Sequence, residues 1–367
     1  MSPRRIKVII AYASAGAGHF KAAEAVYKYL QQCDNTECTL IDVLNKTSPL
    51  FGVSYIHGYS FLVNHATALW RFSFWLTGFK PLRKITRKIA LFINRANSKD
   101  FIKFLCQQNP DFVVSTHFLP SEIASDLKLR NKISSKVVTV ITDFGVHPFW
   151  VCPGTDKYIV ASEYSKSKLL KEGINTKDII ASGIPVDPKF FVKTDKAQLC
   201  LKLGIKDNKF TVLIFTGSFG IGPIEKIVDI LHNDVQLLVV CARNQALFNK
   251  LKAKKYTGVF VFGFIDNVEE LMAVSDTIIT KPGGLSTAEI LNTESAPIFI
   301  HPIPGQETEN IKALNYYGIG VYAKDLKDIK RLVDDYKNNL NKIELARNNI
   351  RELRKSFLPQ EICNVIC

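Results

Sequence analysis

The sequence predicts an α/β protein of two successive domains, each built on a parallel β-sheet. Three observations support this: a chain of 367 residues, short β-branched runs that alternate with helix-like stretches, and a break in this alternation near the middle. A chain of this length has enough residues for two domains with separate cores. Strands that alternate with helices are typical of parallel sheets with helical crossovers.

In the first half, the β-branched run at residues 6–11 predicts a buried strand. A glycine-containing turn follows it, and residues 20–30 then have the pattern of a helix. Further strands are predicted at residues 39–43, 112–115, 137–142 and 158–161.

One Gly and two Pro interrupt the pattern at residues 182–188, which we interpret as a linker. The pattern then restarts, with strands predicted at residues 211–215, 237–242, 259–262, 277–280 and 297–301. Residues 324–353 are predicted to form one charged, amphipathic helix. We therefore expect one domain at residues 1–187 and a second, with a helical tail, at residues 188–367. Two such units in one chain predict a ligand cleft between them.

The composition points to a globular protein with an anionic partner. The hydrophobic fraction is 47%, the charged fraction is 22% and the formal net charge is +14. Such a charge suits nucleic acid, an acidic lipid surface or a phosphorylated ligand. No nucleic-acid-binding module is recognisable, so nucleic acid is not the expected partner. The eight cysteines form no CxxC pair and no zinc-like spacing, which predicts reduced thiols in a cytosolic protein.

No membrane-spanning or secretory segment is expected. Residues 1–7 are basic but lead directly into the first strand, without the apolar region of a signal peptide. The longest uncharged stretch, residues 50–70, contains two His and several Ser and Thr. It is therefore a poor candidate for crossing a bilayer.

The first glycine loop, SAGAGH at residues 14–19, lies between a predicted strand and a predicted helix. Glycines there let a ligand approach the backbone at a helix N-terminus. A dinucleotide fingerprint would need glycine at Lys21, although Asp42 lies where a ribose-binding acid would be expected. Nicotinamide binding and a purely structural turn both stay open for this loop.

His19 is the candidate catalytic residue of this loop. The positive end of a helix dipole disfavours imidazolium, so a neutral ring is available as a base. A structural histidine is the alternative.

The second half carries two more strand–loop–helix sites. The loop containing Gly217, Ser218 and Gly220 offers backbone N–H groups and a hydroxyl to a phosphate. The turn at residues 280–289 is the sharper signal, because its helix N-terminus suits a diphosphate. It contains Lys281, Gly283, Gly284, Ser286 and Glu289.

Two alternatives concern the acidic residues of these loops. Ser286 and Glu289 have the spacing of a capping box, whereas the functional hypothesis is that Glu289 binds ribose hydroxyls. Gln306 and Glu307 begin a later helix and suit sugar hydroxyls, with ordinary first-turn chemistry as the alternative. No Asp-x-Asp occurs in the chain, so no metal cofactor is expected and Lys281 would help to offset the diphosphate charge.

A basic, aromatic segment spans residues 43–99, which include no Asp or Glu. It combines basic residues with large aromatics, as membrane-interface segments do. A core helix with a solvated basic face is the alternative. The basic residues are Lys46, Arg71, Lys80, Arg83, Lys84, Arg87, Lys88, Arg95 and Lys99.

Six motifs together resemble one family, the monogalactosyldiacylglycerol synthases and bacterial processive diacylglycerol glucosyltransferases of glycosyltransferase family 28. The similarity runs in order from about residue 6 to about residue 320. The motifs are SAGAGH at 14–19, THFLP at 116–120, TDFGVHPFW at 142–150, GSFG at 217–220, KPGG at 281–284 with Glu289, and PGQE at 304–307.

The resemblance implies a GT-B fold, in which two Rossmann-like domains face a cleft, and an inverting transfer from a UDP-sugar. It implies acceptor binding in the N-terminal domain and donor binding in the C-terminal domain. His19 matches the family's essential histidine. Within the donor-binding motif of Gly217, Ser218, Phe219 and Gly220, Ser218 matches the phosphate-contacting serine. Phe264 and Ile265 match the stretch whose backbone holds uracil, Glu289 matches the ribose acid, and Gln306 and Glu307 match the sugar-binding pair.

The expected function is transfer of a hexose from a UDP-sugar, glucose favoured over galactose, to diacylglycerol. His19 is the expected base, and Asp143 is the alternative base or an orienting carboxylate. The protein is expected to bind peripherally to the anionic surface of the membrane, on its cytoplasmic face. The competing hypotheses are a nucleotide- or lipid-binding regulatory protein and, less favoured, a nicotinamide-dependent oxidoreductase.

Overall fold

The structure, a computed structural model, describes residues 4–192 and 194–367. The start of the basic stretch at residues 1–7 therefore lies outside the described residues. Contacts divide the chain into two compact units. The first consists of the residues up to Asp187 with Ile303–Asn310 and Ser356–Cys367, and the second of Pro188–Pro302 and Ile311–Lys355.

The first unit contains a six-stranded parallel sheet in the order β2-β1-β3-β4-β5-β6. Its strands are β1 Ile6–Tyr12, β2 Thr36–Asp42, β3 Phe112–Ser115, β4 Lys136–Val140, β5 Lys157–Val160 and β6 Ile179–Ala181. Its helices are α1 Ala17–Leu30, α2 Pro49–His65, α3 Thr67–Gly78, α4 Lys80–Asn97, α5 Lys99–Gln108, α6 Phe118–Leu129 and α7 Glu163–Lys171.

The second unit contains another six-stranded parallel sheet, in the order β12-β11-β10-β7-β8-β9. Its strands are β7 Thr211–Phe215, β8 Gln236–Val240, β9 Val259–Phe262, β10 Thr277–Thr280, β11 Ala296–Phe299 and β12 Val321–Tyr322. The remaining helices are α8 Lys196–Leu203, α9 Ile224–Leu231, α10 Gln245–Ala253, α11 Val268–Val274, α12 Gly284–Asn292, α13 Gln306–Tyr316, α14 Leu326–Asn338, α15 Leu340–Arg354 and α16 Glu361–Ile366. Of these, α16 and the start of α13 belong to the first unit.

The period-two pattern of β1 explains why the first sheet is covered on both faces. Val8 and Ile10 pack into one cluster with α1 and α16, whereas Ile9 and Ala11 pack into a second with α5 and α6. Successive strand residues point to opposite faces, so a β-branched run with no polar alternation demands a cover on each side.

The chain returns to the first unit twice after Asp187. The predicted domain bounds assign Ile303–Asn310 and Ser356–Cys367 to the second domain, but both segments pack with the first unit. The last segment does so because α16 covers α1 and because the Leu358 N–H donates to the Ser182 carbonyl at 2.9 Å.

Three sequence-based element predictions differ from the structure. Strands β6 and β12 are each two or three residues long and were not predicted. The helix predicted at residues 324–353 is two helices, because Asn339 between α14 and α15 adopts φ −132° and ψ 78°. Asn hydrogen-bonds readily to nearby backbone groups, so it suits a helix boundary better than a helix interior.

Glycine is required at Gly220, which follows β7. Its φ is +57°, and an added Cβ would lie 2.2 Å from the Cys241 carbonyl oxygen. Gly217 has a φ of +82° but nothing within 4 Å of such a Cβ. Both positions therefore need a positive φ, but only at Gly220 would an added Cβ clash with a neighbouring atom.

We expect Gly220→Ala to destabilise the protein more than Gly217→Ala. Both substitutions incur the left-handed strain of about 1–2 kcal/mol, and only the first also drives a methyl group into a backbone oxygen. Thermal unfolding of the two variants beside the unmodified protein is the measurement. Equal losses of Tm would contradict the role assigned to the Cys241 contact.

Candidate active site

The strand order of the first sheet places its candidate residues side by side. Strands β1, β3 and β4 are neighbours and run parallel, so the segments that follow them emerge at the same edge. His19 follows β1, Thr116 follows β3, and Thr142 and Asp143 follow β4. The edge of such a sheet beyond the carboxyl ends of its strands is where ligands bind in open α/β folds.

The His19 ring is held by its Nδ1 atom. This nitrogen lies 2.8 Å from the Thr116 carbonyl oxygen and 3.0 Å from Thr142 Oγ1. A carbonyl oxygen only accepts, so Nδ1 carries the proton and donates it. In the neutral ring, Nε2 then holds the lone pair, which is the requirement for a general base.

The protonation state of His19 suits that role. Burial lowers its pKa from 6.5 to about 4, against the opposing effect of the Thr116 hydrogen bond. The ring is therefore neutral at physiological pH.

Aromatic groups surround His19. The His117 ring meets it edge to face with centroids 4.5 Å apart, and the Trp150 ring lies 6.3 Å away. Burial is the main cause that holds the pKa of His117 well below its ordinary value, and the neighbouring His19 lowers it further. A second cation beside His19 is thereby disfavoured.

Asp143 is a buried carboxyl, 6% exposed, with two amide partners from α13. Gln306 Nε2 lies 3.1 Å from Oδ2, and Asn310 Nδ2 lies 3.1 Å from Oδ1. The Asn310 amide is oriented because its oxygen accepts the Gly145 N–H at 2.9 Å. Burial raises the pKa of Asp143 from 3.8 to about 6, although both amides oppose the rise.

The predicted sugar-binding pair lies in the first unit. Gln306 donates to Asp143, as described above, and Glu307 is buried with a carboxylate that accepts the Ile303 N–H at 2.7 Å. Glu307 thus stabilises the start of α13, which is the structural role given above as the alternative to sugar binding. The sugar-binding role of both residues stays a prediction.

The second sheet brings the loops after β7 and β10 together. These strands are neighbours, and the strand order runs outward from them in opposite directions, which makes them a topological switch point. The predicted phosphate loop at residues 217–220 and the turn containing Lys281, Gly283 and Gly284 follow these two strands.

Ser286 and Glu289 do not form a capping box. Helix α12 begins at Gly284 with Gly283 as its N-cap, and no side chain caps it. Ser286 therefore lies inside the helix rather than at the N-cap position that a capping box needs. Both side chains are half-exposed.

Arg243, after β8, was not identified from the sequence. Its N–H donates to the Ser218 carbonyl at 3.4 Å, and its guanidinium lies 5.7 Å from the centre of the Phe264 ring. Phe264 is 60% exposed, and Ile265 follows it in the predicted uracil-binding stretch. The exposed Arg243 therefore connects two predicted donor loops, and its position after a strand was the signal available in the sequence.

The described part of the chain contains neither a cluster of metal ligands nor a membrane-spanning helix. No group of three or more His, Cys, Asp or Glu side chains is placed to hold a metal ion. No helix there is both long and apolar enough to cross a membrane.

We expect Asp143→Asn to be stabilising at pH 7.5 and to lose that advantage near pH 4. The native pKa, about 6, lies above the ordinary 3.8, so ionisation of the buried carboxyl costs stability as the pH rises between these values. Two pKa units correspond to at most about 3 kcal/mol. Denaturant unfolding of both proteins at the two pH values measures the difference, and an equal loss of stability at both would contradict burial as the cause.

Comparison with known proteins identifies relatives along most of the chain. The family model described as monogalactosyldiacylglycerol (MGDG) synthase matches residues 19–186. A processive diacylglycerol beta-glucosyltransferase from Bacillus pumilus is 28% identical over 364 residues, covering 97% of this chain and 93% of the relative.

Two solved structures share the fold. Arabidopsis thaliana UGT89C1 complexed with quercetin has a TM-score of 0.64 at 10% identity, with 99% of each chain covered. Anabaena HepE in complex with UDP-glucose has a TM-score of 0.57 at 12% identity, covering 99% of this chain and 98% of that one. The predicted α/β class, with two parallel-sheet domains of the GT-B fold, is confirmed.

The family match begins at His19 and ends at Val186, so it includes His19 and the segments after β3 and β4 that hold its ring. The Bacillus pumilus relative extends the similarity through the second unit. Over residues 19–186 the chain is therefore similar to the monogalactosyldiacylglycerol synthase family.

Proposed function

We propose that this protein transfers glucose from UDP-glucose to diacylglycerol with inversion at the anomeric carbon. The observation that supports it best is the His19 ring, which is neutral, fixed through Nδ1 and has Nε2 available as a base. The relative from Bacillus pumilus is a diacylglycerol beta-glucosyltransferase, which favours the same acceptor and sugar here. The UDP-glucose complex of HepE favours the same donor.

In the proposed reaction, His19 Nε2 accepts the proton of the diacylglycerol hydroxyl. The oxygen forms a bond to the anomeric carbon, and the bond from that carbon to the diphosphate oxygen breaks on the opposite face. UDP leaves with the electron pair. Asp143, with a pKa of about 6, is the alternative base or the group that orients the acceptor.

The donor is proposed to bind in the second unit at the switch point of its sheet. Gly217, Ser218, Phe219 and Gly220 with the N-terminus of α12 would bind the diphosphate, and Glu289 the ribose. Arg243 and Lys281 are the cations beside these loops, and they would offset the diphosphate charge without a metal.

The test is incubation of the protein with diacylglycerol vesicles and either UDP-glucose or UDP-galactose, with and without EDTA. We expect glucosyl lipid as the main product and unchanged activity in EDTA. Products from UDP-galactose alone would overturn the sugar assignment. Loss of activity in EDTA that magnesium restores would overturn the metal-free donor site. UDP binding without any lipid product would favour the regulatory-protein alternative.

His19→Ala should lower turnover about 10²- to 10⁴-fold while UDP affinity holds, because a general base typically contributes that much. His232→Ala is the matched control, since this histidine lies in the second unit and contacts Tyr256. The acid side of the pH–rate profile separates the two bases. A fall near pH 4 supports His19, whereas a fall near pH 6 supports Asp143.

The membrane contact is proposed to be the outer surface of α2, α3 and α4, within the basic segment at residues 43–99. Half of the exposed large hydrophobic side chains among the described residues, 12 of 24, lie at residues 50–93. On α4 they are Leu82, Ile85, Ile89, Phe92 and Ile93, which share one helical face. An apolar face of this extent marks an interaction surface.

The opposite face of α4 is polar and faces the protein. Arg83 pairs with Glu172 and donates to the Gly78 carbonyl at 3.0 Å. Arg87 donates to the Pro148 carbonyl at 2.6 Å, and the buried Asn94 donates to Glu122 at 2.7 Å. The helix thus turns its polar side inward and its apolar side outward, the reverse of an ordinary surface helix.

This arrangement corrects one expectation from the sequence. Arg83 and Arg87 were expected to contact anionic lipid, but both are engaged inside the protein. The exposed cations of the segment are Arg71, Lys80, Lys84, Lys88 and Lys99. The proposed surface therefore combines an apolar centre with flanking lysines, as peripheral membrane proteins do.

Lys84→Glu with Lys88→Glu should weaken binding to phosphatidylglycerol vesicles at least ~10-fold and reduce its salt dependence, because each lysine near an anionic surface contributes about 1 kcal/mol. Ile89→Ser with Phe92→Ser should weaken binding to neutral vesicles as well. Leu340→Ser with Leu345→Ser is the control, since both side chains are exposed on α15. Vesicle sedimentation measures all three, and unchanged binding of both α4 variants would remove this surface from consideration.

A further inference from the structure

The fold brings together four cysteines from opposite ends of the chain. Cys33 lies in the turn after α1 and Cys38 lies in β2, whereas Cys363 lies in α16 and Cys367 is the last residue of the sequence. All four are free thiols. Cys33, Cys38 and Cys363 pack against the same hydrophobic cluster.

Cys33 and Cys363 share one hydrogen-bond acceptor. The Cys363 thiol donates to the Tyr29 carbonyl oxygen at 3.4 Å, and the Cys33 sulfur lies 4.0 Å from the same oxygen. Cys363 also interacts directly with Cys33 through its thiol, as does Cys367.

Packing holds this pair in place. Ile362 and Ile366 of α16 are buried, 1% and 4% exposed, in the cluster that also contains Val26 and Leu30 of α1. Helix α16, which carries Cys363, and helix α1, which precedes Cys33, are therefore packed in one core. Cys363 as a residue is only half-buried, so a small reagent can approach it from solvent.

The arrangement suits chemistry between two thiols rather than metal binding. Among the described residues, no set of three or more potential ligands is placed to hold a metal ion. We propose that Cys33 and Cys363 are a site of reversible disulfide formation that fastens the C-terminal helix to α1, with a low-molecular-weight disulfide such as oxidised glutathione as the oxidant.

The reaction balances in two exchange steps. One protein thiolate attacks the small disulfide, which forms a mixed disulfide and releases one small thiol. The second protein thiolate then attacks the protein sulfur of that mixed disulfide and releases the second small thiol. Two protein thiols are oxidised to one disulfide, and one small disulfide is reduced to two thiols.

The rate of thiol–disulfide exchange at this pair should depend on pH. Burial, and then the neighbouring Cys33, raises the pKa of the Cys363 thiol. The thiolate, not the thiol, is the nucleophile, so exchange is slow at neutral pH and accelerates as the pH rises.

A bond here would connect residues 330 positions apart in the sequence. Cross-linking such distant positions restricts the unfolded chain far more than it changes the folded one. It would also secure Ser356–Cys367, the segment in which the chain returns to the first unit for the last time. The oxidised protein should therefore unfold at a higher temperature than the reduced protein.

The test is treatment of the full chain with oxidised glutathione, followed by peptide mapping by mass spectrometry without reduction. We expect one linked peptide pair that joins the Cys33 and Cys363 peptides, lighter by two hydrogen atoms than the sum of the free peptides. The link should disappear on treatment with dithiothreitol, and oxidation should raise Tm.

Four variants define the pair. Cys33→Ser and Cys363→Ser should each abolish the link and the rise in Tm, whereas Cys367→Ser should retain both. Cys106→Ser is the matched control, because Cys106 is a half-buried thiol on α5 that packs in a different cluster. No link in the unmodified protein, a Cys33–Cys367 link or an intermolecular dimer would overturn the proposal.

Discussion

The hydrogen bond from His19 Nδ1 to the Thr116 carbonyl oxygen is the interaction that fixes the candidate base of the first unit. It joins the segment after β1 to the segment after β3, and it decides which ring nitrogen keeps the proton. Burial then keeps the ring neutral at physiological pH. A freely rotating histidine in the same place would offer either nitrogen, so the fixed tautomer is a property of the packed sheet edge rather than of the residue.

The same low-polarity surroundings act in the opposite direction on Asp143. Burial disfavours charge, which lowers the pKa of a histidine and raises that of a carboxyl. Two groups near one sheet edge therefore titrate in the reverse of their ordinary order, histidine near 4 and carboxyl near 6. Gln306 and Asn310 of α13 limit the rise in the pKa of Asp143, because their amides donate to its carboxylate.

Helix α4 illustrates how tertiary packing decides the meaning of a composition. Its basic residues suggested a cationic face, yet two arginines bond inward to carbonyl and carboxylate oxygens. A guanidinium group that is turned into the protein needs oxygen atoms to accept its N–H groups. Because the arginine face of α4 is turned inward for this reason, the apolar face of the same helix is exposed to solvent. The resulting surface suits a lipid interface through its apolar area as much as through its charge.

The α/β class, the approximate place of most strands and the motifs that resemble the family could be read from the sequence alone. This was possible because strand patterns, glycine turns and helix starts are local. Only the tertiary structure shows the partners of His19 and Asp143 and the position of Arg243 beside Phe264. It alone also shows that α4 turns its apolar face outward and that Cys33 and Cys363 share a hydrogen-bond acceptor. Each of these joins segments distant in the chain, and such pairings arise from strand order and helix packing, which local patterns do not specify.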